Sequence, residues 1–259
     1  MNNSKVTVVV TAMTDAERPF VSDTLKAISG DPCLGQVLIC VEKDNEWIAP
    51  IVDQHYDHRV QILYLPMMIL SAARNRAVEL ARCEWVAFCD GDDVWCPGKL
   101  NVQLEIAEEQ NADFIGTDHF LTDEDGNIKA CALARFIPMP SSWLVKTSVM
   151  LEHPFDETVR QGQDGEWWVR THQLVKKVRC SSKLLKYRVR SNSLSSKRPS
   201  KKRKALIVQL ASFPILSKLV YWATYLMWYV DRRDEYLWYE KSWGDQPAVE
   251  ASRVGAQLT

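Results

Sequence analysis

The sequence predicts an α/β protein with a mostly parallel open sheet, helices on both faces and a C-terminal helical appendage. Short runs rich in Val, Ile and Leu alternate with segments whose apolar residues recur at helical spacing, which is typical of parallel sheets. The length of 259 residues suits one large domain rather than two. A basic cluster followed by a long apolar stretch near the C-terminus predicts the appendage.

The first half of the chain predicts repeated strand and helix units. Buried parallel strands are expected at 6–10, 37–41 and 60–65, because these runs are short and rich in β-branched residues. Apolar spacing predicts a helix over 20–28 and a second over 72–81 with Ser71 as its cap.

The alternation continues with a strand at 85–89 and a helix whose first turn contains Pro97. This helix should end near Asn111 and turn Leu100, Leu104, Ile106 and Ala107 inward. A further strand is expected at 113–117. The Asp-Gly-Asn core of residues 123–127 predicts a hairpin turn without chemistry of its own.

Three carboxylates, Asp90, Asp92 and Asp93, directly follow the predicted strand at 85–89. Ligands of open α/β sheets bind at the carboxyl ends of strands, where carboxylates hold Mg²⁺ or Mn²⁺ together with substrate phosphates. A solvated acidic turn is the alternative. A helix-loop-helix calcium site is excluded because Val94, Trp95 and Asn101 stand where it needs an oxygen ligand, Gly and Glu.

Other phosphate-binding signatures are absent from the sequence. No Gly-x-Gly-x-x-Gly follows the first strand, and no P-loop or Gly-x-Ser-x-Gly elbow occurs. A bound metal is therefore expected to hold the phosphates.

The composition indicates the cellular compartment and excludes one class of partner. A net charge of −1 and a pI near 6.5 argue against nucleic-acid binding. Seven Cys without a Cys-x-x-Cys motif predict a reducing, cytoplasmic compartment, and the N-terminal apolar run is too short for a secretory signal.

Four motifs in order resemble the inverting, nucleotide-sugar-dependent family-2 glycosyltransferases of the GT-A fold, over roughly residues 5–195. They are the Ala-Arg-Asn segment at 71–77, Asp-Gly-Asp-Asp-Val-Trp at 90–95, Phe-Asp-Glu at 155–157 with Gln-Asp at 163–164, and Tyr-Arg-Val-Arg at 187–190. The resemblance implies a GT-A catalytic domain at 1–196.

The resemblance also implies residue roles. Asp164 would be the catalytic base that takes the acceptor hydroxyl proton, and a divalent ion would neutralise the departing diphosphate. The donor would contact Thr11, Glu42, Arg74, Asp90, Gly91 and Arg190, the metal Asp90, Asp92 and Asp93, and the acceptor Glu166 and Trp167. For Arg74 a helix-surface salt bridge is the alternative.

The chain departs from the family pattern at four places. Glu42 replaces the usual base-binding Asp, and residues 11–14 lack a base-stacking aromatic, so UDP is only the first expectation for the nucleotide. Arg190 replaces a His that can bind metal, and its guanidinium could instead contact the diphosphate. Gln163 replaces the Glu before the base.

Beyond the catalytic domain, six cations lie within 197–204, and a mostly apolar stretch interrupted by Pro214 follows to residue 230. This pattern predicts that residues 197–230 contact an anionic membrane, at its cytoplasmic face. Packing on the catalytic domain, self-association as a homodimer, and a true span are the alternatives. The segment 197–243 is thus an appendage, and 244–259 is a predicted flexible tail.

The sequence therefore predicts a glycosyltransferase that moves a sugar, with inversion, from a nucleotide-diphosphate sugar to a glycan or lipid-linked glycan in polysaccharide biosynthesis. The alternatives are a non-catalytic nucleotide-sugar or glycan-binding module and a sugar-phosphate nucleotidyltransferase. The last usually carries a Gly-rich loop after the first strand, whereas residues 11–18 contain no Gly.

Overall fold

A computed structural model describes residues 5–55, 57–132 and 137–190 of the chain. The predicted sheet and its helices fall within these ranges. The predictions for the appendage at 197–243 and for the tail at 244–259 lie outside the described residues.

The strands of the described residues form one sheet. Its order is β3-β2-β1-β4-β8-β6-β9-β5, with β7 paired to β6. The bounds are β1 Val6–Thr11, β2 Leu34–Glu42, β3 Val60–Leu65, β4 Trp85–Asp90, β5 Val94–Trp95, β6 Phe114–Thr122, β7 Ile128–Ala132, β8 Leu144–Lys146 and β9 Lys177–Arg188.

The parallel half of the sheet is the N-terminal one. β1 pairs in parallel with both β2 and β4, and β2 with β3. Beyond β4 only β6 and β9 are parallel, and the remaining pairs are antiparallel. The α/β class is confirmed, but parallel pairing is less general than expected, because short connections such as the β6–β7 hairpin join antiparallel strands. That hairpin has its turn at residues 123–127, as predicted.

Helices cover both faces of the sheet. They are α1 Val21–Ser29, α2 Ile48–His55, α3 Leu70–Glu79, α4 Lys99–Gln110, α5 Thr147–Glu152 and α6 Gln163–Arg170. Because strand side chains alternate, Val8 and Val10 pack with α1 and α4 on one face, while Val9 packs with α3 and α6 on the other. The expected two-sided arrangement is therefore confirmed.

Two local expectations are corrected by the structure, and one helix is additional. α3 begins at Leu70 with Ile69 as its N-cap, so Ser71 lies inside the helix and its hydroxyl is buried without a hydrogen-bond partner. Pro97 precedes α4 rather than opening it, because Gly98 takes a left-handed conformation with φ of 72°. The short helix α2 was not expected, since Ile48 is its only fully buried residue.

A buried lysine supports the loop that follows β4. Lys99 is fully buried, donates a 2.8 Å hydrogen bond to Gln103 Oε1, and places its Nζ 3.9 Å from the centroid of the Trp95 ring. Burial lowers the pKa of Lys99 to about 7. The folded protein therefore binds this proton more weakly than the unfolded chain does.

We expect the free energy of unfolding to rise between pH 7 and 9 because of Lys99. The unfolded chain keeps this proton up to a pKa near 10.4 while the folded protein loses it near 7, so raising the pH favours the folded state by up to about 2 kcal/mol. Urea unfolding at several pH values measures this. Lys99→Met should remove most of the rise, whereas the exposed-lysine control Lys26→Met should keep it. An equal rise in both variants would contradict the assignment.

Candidate active site

The carboxyl ends of the parallel strands bring three predicted site residues to one edge of the sheet. Thr11 ends β1 and lies in register with Asp90 at the end of β4. Glu42 ends the neighbouring strand β2 and is partly exposed. This edge is where open α/β sheets bind ligands.

Asp90 is held at the centre of this edge. Its Oδ1 accepts a 2.7 Å hydrogen bond from the Thr11 hydroxyl and a 2.6 Å charged contact from Arg74 Nη2. Arg74 is almost fully buried and its guanidinium lies about 6 Å from the Phe88 and Phe155 rings, as the centroid distances of 5.9 and 6.0 Å show. Arg74 therefore forms a salt bridge, as the alternative expected, but a buried one with Asp90 rather than one on the helix surface.

Gly91 allows two loops to meet at the site. Its N–H donates to Thr11 O at 2.8 Å, and a Cβ at this position would lie 2.9 Å from Ala12 Cβ and 3.1 Å from Thr11 O. The Thr24 hydroxyl of α1 donates to Gly91 O at 3.1 Å and to Asp93 O at 2.8 Å. The acidic loop, residues 90–93, is thus hydrogen-bonded to both α1 and the end of β1.

We expect Gly91→Ala to destabilise the protein by about 1 to 3 kcal/mol, because the added methyl must push the end of β1 away from the acidic loop. Thermal unfolding and calorimetric nucleotide binding would measure the loss of stability and of affinity. Gly30→Ala is the matched control, since a Cβ there meets nothing within 4 Å. Equal stability of the two variants would contradict the crowded geometry.

Asp92 is paired with a cation from the end of the sheet. Arg190 Nε lies 2.7 Å from Asp92 Oδ2, an ion-pair contact that lacks hydrogen-bond alignment, and Arg190 Nη2 lies 3.1 Å from Glu17 Oε1. Burial, and then the negative charge of Asp90, raise the pKa of Asp92 to about 6 even though Arg190 lowers it. The two carboxylates therefore lie close enough to repel each other.

Asp93 points into the protein rather than toward the open edge. The side chain is fully buried, and its Oδ1 accepts the backbone N–H of Arg188 at 3.0 Å. Burial, followed by the charges of Asp92 and Asp90, raises the pKa of Asp93 well above its usual value. The structure therefore gives Asp93 a bracing contact between the acidic loop and β9, and does not support its predicted role as a metal ligand.

Asp164 lies in the first turn of α6 and is half-buried. Burial raises its pKa, the positive charge of Arg74 lowers it and the negative charge of Asp90 raises it slightly. The base predicted from the sequence therefore lies within electrostatic range of the acidic motif, although 74 residues separate Asp164 from Asp90.

The two predicted acceptor-side residues do not face the site. Trp167 is fully buried, donates through Nε1 to His153 O at 2.6 Å and packs against Phe114 and Trp143. Glu166 is buried in an ion pair with Arg170 at 2.6 Å. The acceptor-side assignment of both is wrong in this structure, because α6 turns this part of its surface into the core.

Four residues that shape the site were not expected from the sequence. Ser141 Oγ accepts the Asp90 N–H at 3.0 Å, and Arg188 Nε donates to Asp92 O at 2.9 Å. Thr24 donates to the backbone of the acidic loop, and Glu17 pairs with Arg190. All four lie far from the acidic motif in sequence. Arg188 lies within the Tyr-Arg-Val-Arg segment at 187–190, but no role was assigned to it, and a hydroxyl or charge at the other three positions is common on any surface.

The acidic edge offers two oxygen-bearing side chains for a divalent ion. Among residues 5–55, 57–132 and 137–190, no cluster of three or more His, Cys, Asp or Glu is arranged to hold a metal. Asp90 and Asp92 nevertheless fit one, because Mg²⁺-type sites often use one or two carboxylates and complete the shell with substrate phosphates and water. The repulsion between these carboxylates is what a cation would relieve.

Sequence comparison relates this chain to known glycosyltransferases. The model of Glycosyl transferase family 2 matches residues 33–143. Over 146 residues the chain is 32% identical to a Bacillus subtilis protein named teichuronic acid biosynthesis glycosyltransferase TuaG, covering 55% of this chain and 56% of that relative. It is 24% identical over 218 residues to glycosyltransferase MJ1057 of Methanocaldococcus jannaschii, covering 75% of each. The chain thus spans little more than half the length of TuaG.

Two solved structures share the fold. The Staphylococcus aureus TarS fragment 1–349, in complex with UDP-GlcNAc, superposes with a TM-score of 0.68 at 14% identity, covering 83% of this chain and 69% of that chain. A mannosyltransferase from Pyrobaculum calidifontis, in complex with GDP-Man and Mn²⁺, gives a TM-score of 0.64 at 14% identity, covering 98% and 80%. The chain therefore resembles family-2 glycosyltransferases over residues 33–143 and shares the GT-A fold of these two structures.

No helix within the described part of the chain is both long and apolar enough to cross a bilayer. The predicted membrane contact concerns residues 197–230, which lie outside that part.

Proposed function

We propose that this protein transfers a sugar, with inversion, from a nucleotide-diphosphate sugar to a glycan or lipid-linked glycan acceptor. The observation that carries the proposal is that Asp90 contacts Arg74 at the carboxyl edge of the sheet, with Asp92 and Asp164 within electrostatic range of Asp90. A carboxylate pair that attracts cations and a separate carboxylate with a raised pKa are the parts that such a transfer needs.

Asp164 is the proposed base. As the acceptor hydroxyl attacks the anomeric carbon, a carboxylate within hydrogen-bond reach can accept its proton. The raised pKa of Asp164 makes it a stronger base than an exposed aspartate. A single displacement assisted by one base inverts the anomeric centre.

Asp90 and Asp92 are the residues that would hold Mg²⁺ or Mn²⁺. When bound there, the ion would neutralise the negative charge that develops on the leaving nucleoside diphosphate. Thr11 and Arg74 keep Asp90 in place by hydrogen bonding to its Oδ1. The Mn²⁺ in the mannosyltransferase complex supports this choice of cofactor.

The donor is proposed to lie across the ends of β1, β2 and β4. Thr11, Glu42 and Gly91 form its floor, with Glu42 facing the base, while Arg74 supports the site through Asp90. UDP-GlcNAc and GDP-Man in the two structural relatives support a nucleoside diphosphate sugar. Because Glu42 departs from the family pattern, UDP and GDP both need testing.

Calorimetric titration with UDP and GDP, each with Mn²⁺ or with EDTA, tests the donor site. We expect one nucleotide to bind with Mn²⁺ and to bind much more weakly with EDTA. Asp90→Asn should weaken the metal-dependent binding, and Asp53→Asn on the exposed face of α2 is the control. Absence of binding by both nucleotides would contradict the proposal.

A further inference from the structure

Arg190 bridges two loops across the acidic edge. Its guanidinium contacts three oxygens: Asp92 Oδ2 at 2.7 Å, Glu17 Oε1 at 3.1 Å and the backbone oxygen of Ala16 at 2.7 Å. Only 11% of the side chain is exposed, and its Cζ lies 5.6 Å from the centroid of the Phe20 ring. Arg190 is therefore fixed by several contacts in a mostly buried position and is not a mobile surface side chain.

The partner of Arg190 on the other side is also fixed in place. Glu17 Oε2 accepts from the Thr14 N–H at 3.0 Å and from the Thr14 hydroxyl at 2.7 Å, which leaves Oε1 for Arg190. The Glu17 carboxylate therefore uses Oε2 within its own loop and Oε1 for Arg190. Arg190 is held between this loop and Asp92.

The position of Arg190 conflicts with simple metal binding at Asp92. A divalent ion on Asp92 would lie within a few ångströms of a guanidinium that is always charged and cannot act as a ligand. Two cations at such a separation repel strongly in a mostly buried site. Binding of the ion to Asp92 and pairing of Asp92 with the guanidinium therefore oppose each other.

We propose that Arg190 is an internal counter-cation that competes with the divalent ion for Asp92, so that the ion binds tightly only together with a nucleoside diphosphate. A diphosphate offers the guanidinium new anionic partners, with which Arg forms paired hydrogen bonds. Release of Asp92 and capture of the donor are then one event. This inference rests on the proposed function, since it takes Asp92 as a metal-holding residue.

Mn²⁺ binding, measured by electron paramagnetic resonance of the free ion, tests the competition without any turnover. In the absence of nucleotide we expect Arg190→Gln to bind Mn²⁺ at least about tenfold more tightly than the wild type, equivalent to about 1.4 kcal/mol. Arg190→Lys keeps the charge and should remain closer to the wild type. The control Arg76→Gln removes an exposed cation of α3 and should behave as the wild type does.

Nucleotide linkage provides a second test, the first part of which needs only the wild type. Saturating UDP or GDP should raise the Mn²⁺ affinity of the wild type, and should raise that of Arg190→Gln by a smaller factor. In the double variant Arg190→Gln with Asp92→Asn the gained affinity should be lost. Thermal unfolding of each variant shows whether it is folded. If Arg190→Gln does not fold, the effect of the nucleotide on the Mn²⁺ affinity of the wild type decides the test.

The outcomes separate this inference from the proposed function. If Arg190→Gln binds Mn²⁺ no more tightly than the wild type while UDP or GDP still binds, the competition is overturned and the donor site stands. If Arg190→Gln gains Mn²⁺ affinity and neither nucleotide binds to any form, the competition at Asp92 is supported and the donor assignment fails. A wild type that binds Mn²⁺ equally well with and without a bound nucleotide overturns the coupling.

Discussion

Asp164→Asn should lower the rate of sugar transfer by about 10²- to 10⁴-fold while leaving donor binding largely intact, because general-base assistance typically contributes this factor. Asn is nearly isosteric with Asp but does not accept a proton. Asp164 lies in the first turn of α6 and is not one of the strand-end residues that form the proposed donor floor. The loss should therefore fall on turnover and not on nucleotide affinity.

Steady-state transfer assays with calorimetric donor binding in parallel test the role of Asp164. Asp53→Asn, an exposed carboxylate on α2, should keep wild-type turnover. Burial raises the pKa of Asp164, so the wild-type rate should fall as the pH drops through a pKa higher than that of an ordinary aspartate. Turnover that persists in Asp164→Asn would show that another group is the base.

Replacing Asp92 and replacing Asp93 should affect metal-dependent transfer differently. Asp92→Asn should reduce metal-dependent transfer by about 10²-fold or more, since it removes a charged oxygen ligand of the ion that stabilises the leaving diphosphate. Asp93→Asn should leave metal-dependent transfer close to the wild type, because Asp93 is buried and its Oδ1 accepts the Arg188 N–H, an interaction that an amide oxygen preserves.

The contrast is measured by transfer rates at rising Mn²⁺ concentration together with thermal unfolding. Asp92→Asn should need more Mn²⁺ or lose the response to it, whereas Asp93→Asn should keep the wild-type Mn²⁺ dependence. If both variants lose that dependence to the same degree, Asp93 is a ligand after all, and the inward position of its side chain is not the working one.

The framework of the site was predictable because it follows from local patterns. The short apolar runs of β1, β2 and β4 are readable in the sequence, and the rule that ligands bind at the carboxyl ends of strands places Thr11, Glu42 and Asp90 together. The hairpin at 123–127 followed from its Asp-Gly pair. Such features depend on residues that are close in sequence.

The contacts within the site were not predictable, because they join residues far apart in sequence. The sequence indicated neither that Arg190 would pair with Asp92 and Glu17, nor that Asp93 would brace β9. Trp167 and Glu166 were placed on the acceptor side because they follow the predicted base. In the structure α6 buries both side chains: Trp167 packs against Phe114 and Trp143, and Glu166 pairs with Arg170.

The most direct test of the central claim is nucleotide release by the purified protein from UDP-, GDP-, CMP- and dTDP-sugars, with Mn²⁺ or with EDTA. We predict release from one diphosphate sugar in Mn²⁺ that is lost with EDTA and in Asp92→Asn. Absence of release from every donor, with no donor binding by calorimetry, would contradict a glycosyltransferase site.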